Sequence, residues 1–293
     1  MRRYMAFDIG GTQIKYGIVD ENGSILAHYK MDTEAFLGGQ AILQKVIEAG
    51  KVLMEDYRVE GVGISTAGQV DYHTGTVVGA GDTIPGYKGT KIKKLVEQAL
   101  GLPVEVRNDV DCAALGEQWL GNHGVRSFIA LTIGTGIGGA IVIDGRLYSG
   151  HTFSAGEWGY MIVEGKPFEK VASMSGLIDL AKTCKKDGEW TGRAVFDLYD
   201  DGDEEIKPAV QTFFRHLAIG IANLVYIFNP EKVIIGGGIS ARGDRFLQEI
   251  KKETAKYLLP SFQENTELVL AKLSNHAGMA GAVYHFIEHK KGK

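Results

Sequence analysis

One order of apolar runs and glycine turns occurs in residues 4–68 and again in residues 127–240, and this duplication constrains the fold more than anything else in the chain. In the first half, the apolar run YMAFDI (4–9) meets Gly10-Gly11-Thr12, resumes as IKYGIVD, turns at 21–23 and continues as SILAHYK. Apolar runs joined by short turn sequences predict a three-strand meander. Ile42, Leu43, Val46, Ile47, Val52 and Leu53 then fall at helical spacing, which predicts a helix over 40–57. A buried strand, VEGVGIS, follows and ends at Ser65-Thr66-Ala67-Gly68. In the second half, SFIALTI, the turn GTGIGG (134–139), AIVI, the tight turn Asp144-Gly145 and RLYSG repeat the meander. A long helix over 208–228 and the strand PEKVIIGGGIS complete the copy. The offset widens because the second half carries insertions, but the logic of a duplicated unit holds. Two similar α/β halves facing each other predict a cleft lined by glycine turns. The expected boundaries are an N-terminal lobe at 1–118 and a C-terminal lobe at 119–293. An insertion at 150–190 would shape one wall, and a last helix at 276–289 would pack back on the first lobe. A helix over 89–100, a strand over 103–107 and a helix over 110–120 connect the halves.

Forty glycines in 293 residues is well above the usual share of about 7%. They cluster after apolar runs, at 10–11, 134–139 and 236–238. Glycine is needed where φ is positive or where a ligand approaches the backbone closely. Three such clusters point to backbone amides wrapped around phosphate or sugar oxygens. The net charge is −4, without a dense basic run, so a nucleic-acid-binding face is not expected. The start, MRRYMAFDIGG, has no signal-peptide pattern, and no run approaches the roughly 18 apolar residues of a membrane span, so a cytoplasmic protein without a membrane partner is expected. Cys112 and Cys184 lie far apart without CxxC or Cys/His spacing, which argues against a disulfide framework and a cysteine-based zinc site.

Asp8-Ile9-Gly10-Gly11-Thr12, followed by Lys15, brings an Asp to a turn whose amides no side chain obstructs. Such a turn can bind phosphate oxygens while the Asp holds the water shell of a Mg²⁺ ion. The plain alternative is an ordinary hairpin with a buried Asp. It is not a P-loop, because GxxxxGK[ST] is missing. Gly134-Thr135-Gly136-Ile137-Gly138-Gly139 matches GxGxxG, but a dinucleotide fold needs a helix directly after it, and AIVIDGRLY reads as two strands. A second phosphate-binding hairpin fits better. Asn108-Asp109 follows a strand and opens a helix, where a carboxylate can serve as a kinase base or simply as a helix cap. Glu157 and Glu169 flank the glycine-rich AGEWGYM and suit either sugar hydroxyls or solvent. His285 and His289 have i,i+4 spacing at a charged terminal stretch, where a metal role is not expected.

In this order the motifs resemble the ROK family (repressors, uncharacterised frames and sugar kinases) within the actin/hexokinase/Hsp70 superfamily. The likeness rests on DIGGT with Lys15, ISTAG (64–68), IPGY (84–87), ND (108–109), GTGIGG, AGEWGY (155–160), EKVAS (169–173) and GGGIS (236–240). It implies an α/β fold of two ribonuclease-H-like (actin-like ATPase) lobes, and an ATP-dependent sugar kinase using Mg²⁺. It assigns ATP phosphates to Gly10, Gly11, Thr12, Lys15, Gly134, Thr135, Gly136 and Gly138, the adenosine side to Gly236, Gly237 and Gly238, and Mg²⁺ to Asp8 through water. Gly68, Asn108, Asp109, Glu157, Tyr160 and Glu169 would hold the sugar, with Asp109 taking the proton from its C6 hydroxyl. Two positions depart from the family. Tyr160 stands where relatives often have a zinc-binding His, and GKPFEK replaces a CxCGxxGC cluster, so no zinc site is expected. Thr83 stands where many relatives have Asn. Of the candidate sugars, a β-glucoside such as cellobiose is favoured over glucose and N-acetylmannosamine. The rival from another class is a sugar-sensing regulator, which would need a helix-turn-helix segment ahead of the first strand. A chaperone-like ATPase would need a peptide-binding domain. The likeness leaves a homodimer open.

Overall fold

In RYMAFDI, side chains alternate between two apolar faces, as a strand buried on both sides requires. Met5, Phe7 and Ile9 meet Ile14, Ile42, Val46, Ile64 and Val106, while Tyr4 and Ala6 meet Val19, Met279, Val283 and Phe286. The computed structural model describes residues 1–81 and 83–291, so the end of the expected C-terminal lobe lies outside the described residues. The chain divides into two units. The first comprises Met1–Gly124, Ser149–Ser154 and the chain from Lys272 onward; the second comprises Val125–Tyr148 and Ala155–Ala271.

The first unit is built from β1 (Arg3–Ile9), β2 (Gln13–Asp20), β3 (Ile25–Asp32), α1 (Gly39–Asp56), β4 (Val62–Thr66), β5 (Gln69–Asp71), β6 (Thr76–Gly79), α2 (Ile92–Leu100), β7 (Val104–Asn108) and α3 (Asp109–Leu120). Its sheet runs β3-β2-β1-β4-β7, antiparallel in the meander and parallel from β1 to β4 to β7. The C-terminal helix, Ala277–Lys291, closes the face carrying Tyr4 and Ala6. Its backbone touches α3 directly: a Cβ on Gly281 would come within 1.7 Å of the Cys112 carbonyl oxygen.

The second unit contains β8 (Phe128–Ile133), β9 (Ile137–Ile143), β10 (Arg146–Tyr148), the hairpin β11 (Ile162–Val163) and β12 (Lys166–Pro167), α4 (Phe168–Ala172), α5 (Met174–Cys184), α6 (Gly192–Asp200), α7 (Lys207–Phe228), β13 (Lys232–Gly236), α8 (Gly243–Thr254), α9 (Pro260–Asn265) and β14 (Glu267–Leu270). Its sheet order is β10-β9-β8-β13-β14, so each unit places its five strands in the order third, second, first, fourth, fifth. This is the duplicated ribonuclease-H-like arrangement that the family resemblance implied, built from the two similar α/β halves of the repeated pattern. The core of this unit packs Phe213, Leu217, Ile221 and Leu224 of α7 with Ile129, Leu131, Val233, Ile235 and Phe246.

Two expectations need correction. α7 does reach the length and mean hydropathy, 1.2, of a membrane span, but 61% of that window is buried inside the protein. Its apolar face is used by the core of the second unit. The segment 150–190, expected as one insertion, is divided: it holds β11, β12, α4 and α5 of the second unit, while Ser149–Ser154 joins the first. There Arg107 donates from Nη2 to Ser149 Oγ (2.5 Å), and Phe153 packs against Tyr72 and His73.

Candidate active site

In the first unit, the ends of β1, β4 and β7 supply the polar groups. Asp8 lies opposite Lys15 in the β1–β2 ladder and beside Ser65 in β4. Ser65 donates to Asp8 Oδ1 at 2.6 Å. Lys15 itself reaches the Asn275 Oδ1 atom, 3.0 Å away. Although Asp8 keeps some solvent access, burial pushes its carboxyl above the usual range, with Ser65 and Lys15 pulling the other way. The turn after β1 is fixed by Thr33, whose hydroxyl donates to the Gly10 carbonyl (2.7 Å) and whose N–H donates to the Thr12 carbonyl (2.9 Å).

Asn108 ends β7 and caps α3. Its Oδ1 accepts from the N–H groups of Val110 (2.8 Å) and Asp111 (3.0 Å), so the plain capping role is real. Its Nδ2 also donates to the Gly68 carbonyl at 2.9 Å, tying the ISTAG loop to the start of α3. Gly68 sits at φ 91°, and a Cβ there would approach the Gly79 carbonyl oxygen to 2.7 Å, so only glycine fits this turn. Asp109, the first residue of α3, accepts from Val110 N–H at 2.9 Å. Burial raises its pKa to about 7, and the Asp8 charge adds to the rise. A carboxyl poised there can take a proton near neutral pH. Asp8, whose carboxyl keeps some solvent access, could hold a divalent cation through the ion's water shell.

Sequence reading missed two supports. Ser65 and Tyr87 stand in the sequence only as letters within ISTAG and IPGY. Tyr87 is buried, its hydroxyl lies 2.5 Å from Thr66 Oγ1, and burial pushes its phenol up to about 12. Thr83 lies against the turn after β1: a Cβ on Gly11 would lie 3.2 Å from its methyl group.

In the second unit, the turn 134–139 joins β8 to β9, closed by Gly134 N–H donating to the Gly136 carbonyl (3.0 Å). Met174 N–H donates to the Gly134 carbonyl at 2.8 Å. Gly237, at φ 85°, lies against the end of β8, where a Cβ would meet the Ile133 carbonyl oxygen at 2.5 Å. Thus the 134–139 and 236–238 clusters are neighbours. Glu169 on α4 reaches the same turn: Cβ atoms on Gly136 and Gly159 would lie 2.9 and 3.2 Å from its Oε2. Glu157 precedes the short 3₁₀ turn Trp158–Tyr160, in which Trp158 is buried against Gly139 and Tyr160 is 68% exposed. His285 and His289 lie in the first unit, their ring centroids 6.0 Å apart. Burial beside Arg107 holds the His285 ring well below its ordinary pKa. Among the described residues no group of three or more His, Cys, Asp and Glu side chains could hold a metal ion.

A family model described as the ROK family matches residues 4–289. The chain is 44% identical to an uncharacterised protein of Clostridium perfringens, across 99% of each chain. It is 35% identical to a beta-glucoside kinase of Listeria innocua, covering 97% of each. Its fold is similar to the crystal structure of a ROK family glucokinase from Streptomyces griseus in complex with glucose and AMPPNP, with a TM-score of 0.82, 31% identity, and coverage of 96% of this chain and 97% of that one.

Proposed function

The chain belongs to the ROK family, and from that premise we propose that it transfers the γ-phosphoryl group of ATP to a hydroxyl of a hexose or hexose-containing sugar. The observation that carries this reading is the Asp109 carboxyl at the start of α3, beside Asn108 and the Gly68 turn and within the field of Asp8. Phosphoryl transfer asks a protein mainly for positioning and for a group that receives the nucleophile's proton. Asp109 receives the proton of the attacking hydroxyl, and Asn108 and Gly68 hold the sugar beside it. Gly10, Gly11 and Thr12, with Lys15, offer amides and charge to the phosphates. The 134–139 turn offers further amides, the glycines at 236–238 lie on the adenosine side, and Glu157, Tyr160 and Glu169 bind sugar hydroxyls. Mg²⁺, held by Asp8 through water, supplies charge neutralisation at the phosphates. The acceptor is a β-glucoside such as cellobiose, phosphorylated at the C6 hydroxyl; support comes from the identity to a beta-glucoside kinase over nearly the full chain.

ADP release with MgATP, measured across glucose, cellobiose, mannose, fructose and N-acetylmannosamine, tests this reading. We expect turnover on cellobiose above that on glucose, lost in Asp109→Asn. Turnover that persists in the variant removes Asp109 as the base. Silence on every sugar, with ATP still bound, turns the reading toward a sugar sensor.

A further inference from the structure

Behind the acceptor side of the second unit, the hairpin β11–β12 is stapled to α7. Its two turn residues, Glu164 and Gly165, have φ values of 47° and 80°, the primed turn geometry that follows strand twist. Glycine adopts this region freely, whereas a glutamate does so only when something holds it. Glu164 Oε2 lies 3.0 Å from Arg215 Nη2 and 3.0 Å from His216 Nε2. His216 is 7% exposed, and its other ring nitrogen faces the Val171 carbonyl at 3.3 Å. Val171 belongs to α4, two residues beyond Glu169. One buried imidazole therefore bridges the hairpin turn and α4, bracketing the segment that carries Glu169. Among the described residues, the Glu169 side chain has only a loose ion pair of its own, to Lys170 at 3.6 Å, and that lysine side chain is 70% exposed, a contact of little worth.

We propose that His216, with Glu164, is a positioning pair for the acceptor sugar: it sets where the Glu169 carboxylate stands against Gly136 and Gly159. The inference rests on the reading of Glu169 as a sugar ligand. Leucine at 216 fills the space but bridges nothing, so α4 is free to shift, and displacements on the ångström scale at a binding group are costly. His216→Leu is expected to raise the KM for cellobiose about tenfold, while the KM for ATP moves by less than about twofold. His216→Asn, which still offers an N–H to the Val171 carbonyl, recovers most of the loss. Glu164→Ala raises the sugar KM by a smaller factor, and adds little in the His216→Leu background, where only its exposed contact with Arg215 is left to lose.

The experiment measures KM for sugar and for ATP, and kcat, in wild type, the three single variants and the double. A selective rise in sugar KM with non-additive coupling supports the pair. An unchanged sugar KM in His216→Leu, equal rises in both KM values, or independent multiplication of the two effects overturns it. If His216→Leu does not fold, Glu164→Ala, on an exposed turn, decides alone by its sugar KM. A wild type that phosphorylates no sugar overturns the kinase reading, and this inference with it; an active wild type with indifferent variants overturns the inference alone.

Discussion

The two sheets share one strand order, yet the hairpins at equivalent places carry different chemistry. In the first, the turn is closed by the pair Ile9 and Ile14, and the next position inward places Asp8 opposite Lys15. In the second, Ile133 and Ile137 close the turn, and the next position places Thr132 opposite Gly138. The following parallel strands differ in the same way: β4 ends in Ser65-Thr66 and β7 in Asn108, whereas β13 ends in Gly236 and β14 in Leu270. Strand ends in such sheets are where ligands bind. The shared topology decides where each turn points; the residue at the strand end decides whether it offers charge or bare amides. The first unit concentrates carboxylates and hydroxyls, and the second offers backbone.

The largest effect comes from removing the charge that most separates the two. Asp109→Asn should lower kcat by roughly 10²–10⁴, the range of general-base catalysis. In wild type, kcat/KM should fall with unit slope below a pH of about 7, where Asp109 takes up its proton. Stability should move the other way. The folded-state pKa lies above the unfolded value, so wild type pays a penalty that grows from about pH 4 and is complete above about pH 7. The Asn variant should therefore melt higher at pH 8, by about 2–4 °C per kcal/mol gained, with the gain fading as pH falls toward 4. A variant no more stable than wild type at pH 8 would mean that the carboxylate is not buried at a cost.

Asp8→Asn comes next. Its charge contributes to the raised pKa of Asp109, so the acid limb of the wild-type profile should move to lower pH in the variant. Turnover should fall by roughly tenfold or more as the group that would hold the cation is lost. A pH–rate profile that keeps its acid limb in place would disconnect the two aspartates and blur the contrast between the units. In the second unit, where glycine takes the place of charge, the sharper test is steric. Gly136→Ala puts a methyl group 2.9 Å from Glu169 Oε2. That side chain can yield, so the protein should fold normally while the sugar KM rises by a factor of about five, within the range of a displaced hydrogen-bond partner. An unchanged sugar KM would take Glu169 out of the acceptor site.

The meander, the glycine turns and the strand-end residues were legible in the sequence because apolar alternation and glycine clusters are local signals. Asn108-Asp109 was legible as a pair but ambiguous in role, and the structure shows why: Asn108 is a helix cap and a tether to Gly68 at once. α8 escaped notice because GDRFLQEIKKET buries only Phe246, Ile250 and Thr254, too sparse a stripe to stand out from a charged loop. The hydropathy of α7 is easily underrated because Gln211, Arg215 and His216 interrupt its letters: Gln211 and Arg215 are exposed, whereas His216 is buried among the packed residues. Ser65 and Tyr87 could not be ranked from sequence at all. Their importance lies in pairings across 57 and 21 residues, which only the folded sheet creates.

The smallest effect concerns that second pairing. Tyr87→Phe removes the hydroxyl 2.5 Å from Thr66 Oγ1 and leaves a fully buried threonine hydroxyl short of its partner. The loss should be about 1–2 kcal/mol of stability, and kcat should change by less than about threefold. The acid limb should stay where it is, because a phenol with its pKa pushed up to about 12 is neutral throughout the working range and adds no charge near Asp109. Thr66→Val alone strands the phenol in the same way. The double variant Thr66→Val/Tyr87→Phe replaces both polar partners with apolar groups of similar shape, so it should be more stable than the sum of the singles predicts. Melting curves of the four proteins at pH 7.5 measure this. Additive losses would mean that each hydroxyl has a separate partner; and a shifted acid limb in Tyr87→Phe would make the phenol part of the charge-bearing half of the molecule rather than its support.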